Sequence, residues 1–256
     1  MTRRTLAAFI AAMALAGCAS PSASPAGNSS VRGSITVFAA ASLTAPFTDI
    51  ARSFERVYPG TAIRLSFAGS ATLAAQIQEG AVGDVFASAD ASTMQQVVDA
   101  GLIDHAPAIF ARNRLQIAVA RGNPKHIEGL ADLGRPGLLV LLCAAAVPCG
   151  RYAQQAIDRA HVLVKPASLE ADVKSVVTKV GLGEADAGIV YSTDVRAAAS
   201  TVQGVDIPDS LQVTAAYLVA PLRDSKNSSL ARAFIRFVLD DAGGQTTLRH
   251  YGFLSP

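Results

Sequence analysis

The chain has 256 residues, of which 50% are hydrophobic and 16% charged, enough for one large core or two modest ones. Tryptophan is absent and aromatic residues make up 6%, which argues against aromatic-lined platforms for sugars or nucleic acids. The formal charge is +2, but Arg3 and Arg4 lie in a segment expected to be removed; without them 20 basic residues face 20 acidic ones, and no nucleic-acid partner is expected.

Arg3 and Arg4 begin a targeting pattern. An apolar stretch, Leu6 to Leu15, and then small residues follow them. The stretch is too short for a stable membrane span. It ends in Leu15-Ala-Gly-Cys18, which resembles the lipobox of bacterial lipoproteins. That resemblance implies a signal peptide over 1–17, lipidation of Cys18, and a protein held by that lipid at the extracytoplasmic face of the bacterial cell membrane. The Ser-, Pro-, Ala- and Gly-rich residues that follow read as a flexible tether, 18–32.

Beyond the tether, strand and helix patterns alternate, the signature of a parallel-rich α/β sheet. Ser34 to Phe38 reads as a strand. A helix follows, with Phe47, Ile50, Phe54 and Val57 on one face. Ser42 stands between them, flanked by small residues. The pattern recurs with a strand ending at Phe67, the pair Gly69-Ser70, and a helix carrying Leu73 and Ile77. Two readings fit these serines. They are ordinary helix N-caps, or their hydroxyls join the bare first N–H groups of a helix to hold an anion.

Gly83 to Asp90 reads as a buried strand, with Asp84 and Asp90 as turn and cap residues. A helix with Met94, Val97 and Val98 inward follows, then strands at Arg114 to Arg121 and Leu138 to Leu142. Pro148-Cys-Gly150 opens the helix ending at Ala160. The next helix, Asp172 to Val180, has four valines in register; Ser168 and Glu170 are expected in its approach as first-turn residues. A strand ends at Tyr191, another spans Gln212 to Leu218, and Leu230 to Val238 is an amphipathic helix. Several helix starts thus carry small or hydroxyl residues without a convergent charge, a combination suited to an ionised oxyanion held by neutral donors.

Cys143 and Cys149 are the remaining cysteines. Parity and an exported setting favour a disulfide between them over two free thiols. A nucleophilic Cys149 served by His161 is the competing reading. The four histidines are scattered without ligand spacing, so no metal site and no cofactor are expected.

Taken together, Ala39-Ala-Ala-Ser-Leu43, Phe67-Ala-Gly-Ser-Ala-Thr-Leu-Ala-Ala-Gln-Ile77, Gly83 to Asp90, Val147-Pro-Cys-Gly-Arg-Tyr-Ala153, Asp172-Val173, Gly188-Ile-Val-Tyr-Ser192 and Tyr251-Gly-Phe253 resemble the periplasmic molybdate-binding proteins of bacterial ABC transporters. The pieces occur in that family's order across nearly the whole mature chain. The resemblance implies a type II periplasmic-binding-protein fold, with two α/β lobes joined by a two-strand hinge and the ligand in the cleft. It places lobe 1 at 33–112 plus 220–256 and lobe 2 at 113–219, with crossings near Asn113 and Ala220. It implies a monomeric receptor without catalytic residues that binds molybdate, and tungstate with it, and delivers it to a membrane permease. Ser42 and Ser70 would bind through hydroxyl and N–H, Cys149 and Val173 through backbone N–H, and Tyr191 through its phenol. Cys149 departs from the alanine the family often has there, and Ala144 to Ala146 carry no acidic residue. The alternatives are a receptor of the same fold for sulfate, phosphate or an organic acid gripped by Arg64, Arg112 or Arg151, and a secreted thiol hydrolase using Cys149.

Overall fold

The computed structural model describes residues 31–256. The segment 1–17, Cys18 and most of the expected tether lie outside the described residues.

Strand β1 (Gly33–Ala40) runs into a short 3-10 turn, Ala41–Leu43, and then helix α1 (Thr44–Val57). Phe47, Ile50 and Phe54 of α1 are buried. Val57, expected beside them, is exposed, because the last turn of α1 passes the edge of the core before the chain turns at Gly60, whose φ is +89°. Strand β2 (Thr61–Ala68), helix α2 (Ser70–Gln78), strand β3 (Val85–Ser88) and helix α3 (Ala91–Asp99) follow. Met94 and Val97 of α3 are buried, and Val98 is half-buried. The long strand β4 (Ala108–Ala120) leads to β5 (Val140–Cys143) and α4 (Pro148–Ala160).

The next element corrects an expectation. Ser168 and Glu170 do not belong to a helix start; they form the short strand β6 (Ser168–Glu170), parallel to β5. The acid that caps helix α5 (Val173–Gly181) is Asp172, whose Oδ1 accepts the Ser175 N–H at 3.0 Å. Glu170 instead accepts from Lys179 Nζ at 2.7 Å and from the Ser168 hydroxyl, and these donors hold its carboxyl below the usual range. Strand β7 (Ala187–Tyr191), helix α6 (Ser192–Ala197), strands β8 (Val202–Asp206) and β9 (Thr214–Pro221), and helices α7 (Ser228–Leu239) and α8 (Thr246–His250) complete the chain.

The strands lie in the order β2-β1-β3-β9-β4-β7-β5-β6, with β8 also on β4. Parallel pairs flank an antiparallel centre: β1 pairs with β2 and β3, and β5 with β6 and β7. The antiparallel strands β4 and β9 serve both sides. β4 pairs with β9 through Ala108–Arg114 and with β7 through Leu115–Val119. β9 turns its later residues, Leu218–Pro221, to β3. This is a two-lobed α/β fold in which two strands carry the chain between lobes. In the first lobe α1 and α7 pack Phe47, Phe54 and Phe234 edge-on against one another. On the other face of that sheet α2 and α3 pack Leu73, Ile77, Met94 and Val97 around Phe38 and Phe86. The parallel strands of the first lobe, β1, β2 and β3, therefore end, at their C-terminal edge, facing the second. No helix among the described residues is long and apolar enough to cross a membrane.

Candidate functional site

Parallel strands send their C-terminal ends, and the helix N-termini that follow, to one edge of a sheet. Here two such edges face each other. The 3-10 turn after β1 brings Ser42, and the start of α2 brings Gly69 and Ser70. From the second lobe the start of α4 brings Val147 and Cys149, the start of α5 brings Asp172 and Val173, and the end of β7 brings Tyr191. All of them line one cavity. Its volume is ≈ 20 Å³, against the roughly 10–15 Å³ needed to house one water, so it suits a compact ligand.

Neither serine is a cap. The N-cap positions of the turn and of α2 are Ala40 and Gly69, and neither makes a side-chain capping bond. Ser70 Oγ accepts the Ala89 N–H at 3.0 Å, and Ser42 Oγ lies 2.9 Å from Tyr217 Oη. α4 likewise lacks a side-chain cap, and the N–H groups of Cys149 and Gly150, ahead of its first intrahelical bond from Arg151 to Val147, have no intrahelical partner. Asp172 satisfies Ser175 and leaves the Val173 N–H, at the first position of α5, without an intrahelical acceptor. Asp172 is the one charged residue of the lining, and both its oxygens turn to Ser175.

Tyr191 is 1% exposed, and its phenolic oxygen has no hydrogen-bond partner. Burial pushes its pKa well above the ordinary tyrosine value, with Tyr217, Tyr152, Asp90 and Asp194 adding in the same direction. It is a neutral O–H donor aimed into the cavity with nothing to donate to. Its place is fixed from below. Asp194, in the first turn of α6 and fully buried, stands 2.9 Å from Lys174 Nζ in the first turn of α5. This contact is an ion pair without good hydrogen-bond alignment. Burial raises the Asp194 carboxyl pKa, and Lys174 opposes the rise. The pair ties together the two helix starts that present Val173 and Tyr191.

A second network joins the site to the two shared strands. Tyr217 on β9 contacts Ser42, and Asn113 on β4 reaches Tyr217 Oη at 3.5 Å and Thr193 Oγ1 at 2.8 Å. Ser192 donates to Asn113 Oδ1 at 3.2 Å. The sequence singles out none of Tyr217, Asp194 and Lys174, and it marks Asn113 only as a crossing between lobes, because each acts through a partner far along the chain.

Cys143 and Cys149 are joined by a disulfide, with Cα atoms 5.8 Å apart. This removes the thiol-hydrolase reading: Cys149 has no free thiol. His161 also sits at the opposite end of α4, roughly 18 Å away at 1.5 Å of rise per residue. The bridge draws the loop so tight that a Cβ on Gly150 would meet the Ala144 carbonyl oxygen at 2.1 Å. Replacing both cysteines by alanine should lower unfolding stability by roughly 2 kcal/mol, the loop-closure contribution for so short a loop. It should also weaken ligand binding, because the Cys149 N–H is then free to wander; paired calorimetric melting and titration would check both. Among the described residues no cluster of histidines, cysteines or carboxylates is arranged to hold a metal.

Comparison with known proteins places this geometry. Residues 35–254 match the model of the bacterial extracellular solute-binding protein family. The chain belongs to this family. A curated relative, the molybdate-binding protein ModA of Mycobacterium tuberculosis (strain H37Rv), is 42% identical over 250 residues, 98% of this chain and 95% of the relative. Among solved structures, the periplasmic molybdate-binding protein of Azotobacter vinelandii superposes with a TM-score of 0.72 at 19% identity, covering 87% of this chain and 99% of that one. The sulfate-binding protein SubI of M. tuberculosis superposes with a TM-score of 0.76 at 20% identity, covering 87% and 86%. The solute-binding fold is therefore common to receptors of different anions, and the fold alone does not select the ligand. In this solute-binding protein the lining offers hydroxyl and N–H donors from both lobes, and Arg151, two residues beyond Cys149, is already occupied by Asp90.

Proposed function

We propose that this chain is the extracytoplasmic receptor of a bacterial molybdate importer: it binds molybdate, and tungstate with it, between two lobes and presents it to the permease of an ABC transporter. The observation that carries the reading is the orphaned phenol of Tyr191, pointing into a cavity otherwise lined by neutral donors from both lobes. A buried anion must find a donor for each oxygen. Bare N–H groups at helix starts supply such donors with a favourable dipole and no counter-cation. Ser42 and Ser70 bind from the first lobe, and Cys149, Val173 and Tyr191 from the second. The 42% identity to a molybdate-binding protein supports molybdate over sulfate.

The lobes in this reading are 33–112 with 220–256, and 113–219; β4 crosses at Asn113, and β9 crosses in its stretch before Ala220, where Ala215 faces Asn113. Lipid on Cys18 holds the protein, as a monomer, at the outer face of the cell membrane. The chain performs no catalysis; it binds and hands over.

The test is thermal unfolding of the protein lacking residues up to Cys18, with molybdate, tungstate, sulfate or phosphate. A ligand at about a hundred times its Kd adds roughly 2.7 kcal/mol. A rise with molybdate and tungstate alone is expected. A rise with sulfate or phosphate alone would keep the receptor and discard the ligand.

A further inference from the structure

Asp90 and Arg151 are 61 residues apart and belong to different lobes. Asp90 follows β3 and caps α3: its Oδ1 accepts the Thr93 N–H at 2.9 Å. Arg151 is in the first turn of α4, two residues beyond Cys149. Its Nε donates to Asp90 Oδ2 at 2.8 Å, its Nη2 donates to the same oxygen and to Thr93 Oγ1 at 2.6 Å, and its Nη1 donates to the Ala146 carbonyl. The guanidinium is thus filled by partners and has no free edge for a ligand, which removes it as the grip for an organic acid.

Two features mark this contact as more than surface pairing. The Asp90 side chain is 4% exposed and that of Arg151 24%, so the bridge is covered where the lobes meet. Arg151 also occupies the helix end at which a cation is disfavoured by the dipole. Nothing in α4 itself calls for a cation there; the carboxylate across the cleft does. Ala89, next to Asp90, and Cys149, near Arg151, both line the cavity, so the bridge lies at its rim.

We propose that Asp90, Thr93 and Arg151 form a latch that holds the closed lobes together and sets the rate at which the ligand leaves. The inference rests on the two-lobed receptor reading above. Separating the lobes must break every bond Arg151 makes to Asp90 and Thr93, after which water solvates both charges. The latch therefore acts on the closed state and its dissociation rate more than on encounter. Because the broken form is hydrated, its contribution is bounded and weakened by salt.

The test measures release of radiolabelled molybdate, chased with unlabelled molybdate, from the wild type, Arg151→Met, Asp90→Asn and the double variant. Asparagine caps helices as well as aspartate does, so α3 stays formed, and methionine keeps most of the arginine stem. Release about tenfold faster in each single variant, with the double variant no faster than the faster single, is expected. Wild-type release should quicken with salt, and that of Arg151→Met should not. Unchanged release in both single variants, from a wild type that binds, overturns the latch and leaves the receptor reading standing. If the wild type binds no oxyanion, the receptor reading falls, and X-ray scattering of the ligand-free proteins decides the latch alone: a larger radius of gyration in Arg151→Met supports it, and an equal one overturns it.

Discussion

Replacing Tyr191 with phenylalanine should weaken molybdate binding roughly 10- to 150-fold and leave the ligand-free protein at least as stable as before. The two effects have one cause. The phenolic oxygen is buried without a partner, and an unsatisfied buried group is a standing penalty of about 1–3 kcal/mol. Removing it from the ligand-free protein therefore sacrifices no hydrogen bond. The ring remains and keeps its edge-on contact with Tyr217, whose ring centre is 5.7 Å away. In the complex the same hydroxyl donates to a charged oxygen, a bond worth about 1.5–3 kcal/mol, and each 1.4 kcal/mol is tenfold in Kd. Titration calorimetry and thermal melting of the one variant read both effects. A tyrosine kept only for packing would leave binding unchanged, and one with an unseen structural partner would lose stability without ligand. Weakened binding with unimpaired ligand-free stability belongs to a ligand donor alone.

Much of this site was legible before any coordinates. β1 with its following turn, and β2 with α2, announce themselves by an apolar run, a small or hydroxyl pair and a resumed helical period. The two serines could not be told from caps on that information. Their partners, Tyr217 on β9 for Ser42 and the Ala89 N–H just past β3 for Ser70, lie elsewhere in the sheet, and only the fold shows that both hydroxyls turn away from their own helices. Periodicity puts Val57 on the buried face of α1 and the structure exposes it, because the period continues to the end of the helix while the core beneath it stops. Ser168 and Glu170 look like helix-start residues, and β6 carries too few residues for alternation to declare a strand; its pairing with β5 decides the matter. α6, with six residues, and β8, with five, are also short, and no sequence pattern declares them. The disulfide followed from parity and compartment. By contrast, the Asp90–Arg151 bridge, the Lys174–Asp194 pair and the Asn113–Tyr217 network each join residues whose separation along the chain hides them. What a local reading can find is where donors start; what it cannot find is which elements hold them in place or which parts must meet when the lobes close.

Gly69→Ala tests that meeting most directly. Gly69 ends the loop before α2 in the first lobe, and a Cβ built on it would meet the Ala171 carbonyl oxygen of the second lobe at 2.4 Å. Ordinary contact begins at 3.4 Å, so the lobes must stay about 1 Å further apart at this point (3.4 − 2.4 = 1.0 Å). The obstructing atom is backbone, next to the Asp172 cap that sets the α5 start, and it cannot swing aside. Donors 2.9 Å from a ligand oxygen would move out to distances where hydrogen bonds fail. Losing even two charge-assisted bonds from Cys149, Val173 and Tyr191 should weaken binding at least a hundredfold. The isolated lobe does not feel the change. Gly69 has φ −56° and ψ 138°, a conformation alanine adopts freely. Restricting the unfolded chain adds about 0.4–1 kcal/mol, set against the contacts between the lobes that the clash loosens in the ligand-free protein. A methyl group would thus nearly abolish the ligand-induced rise in melting temperature. If Gly69→Ala binds molybdate as the wild type does, then the ligand is not held by donors closing from both lobes, and the assignment of Cys149, Val173 and Tyr191 falls with it.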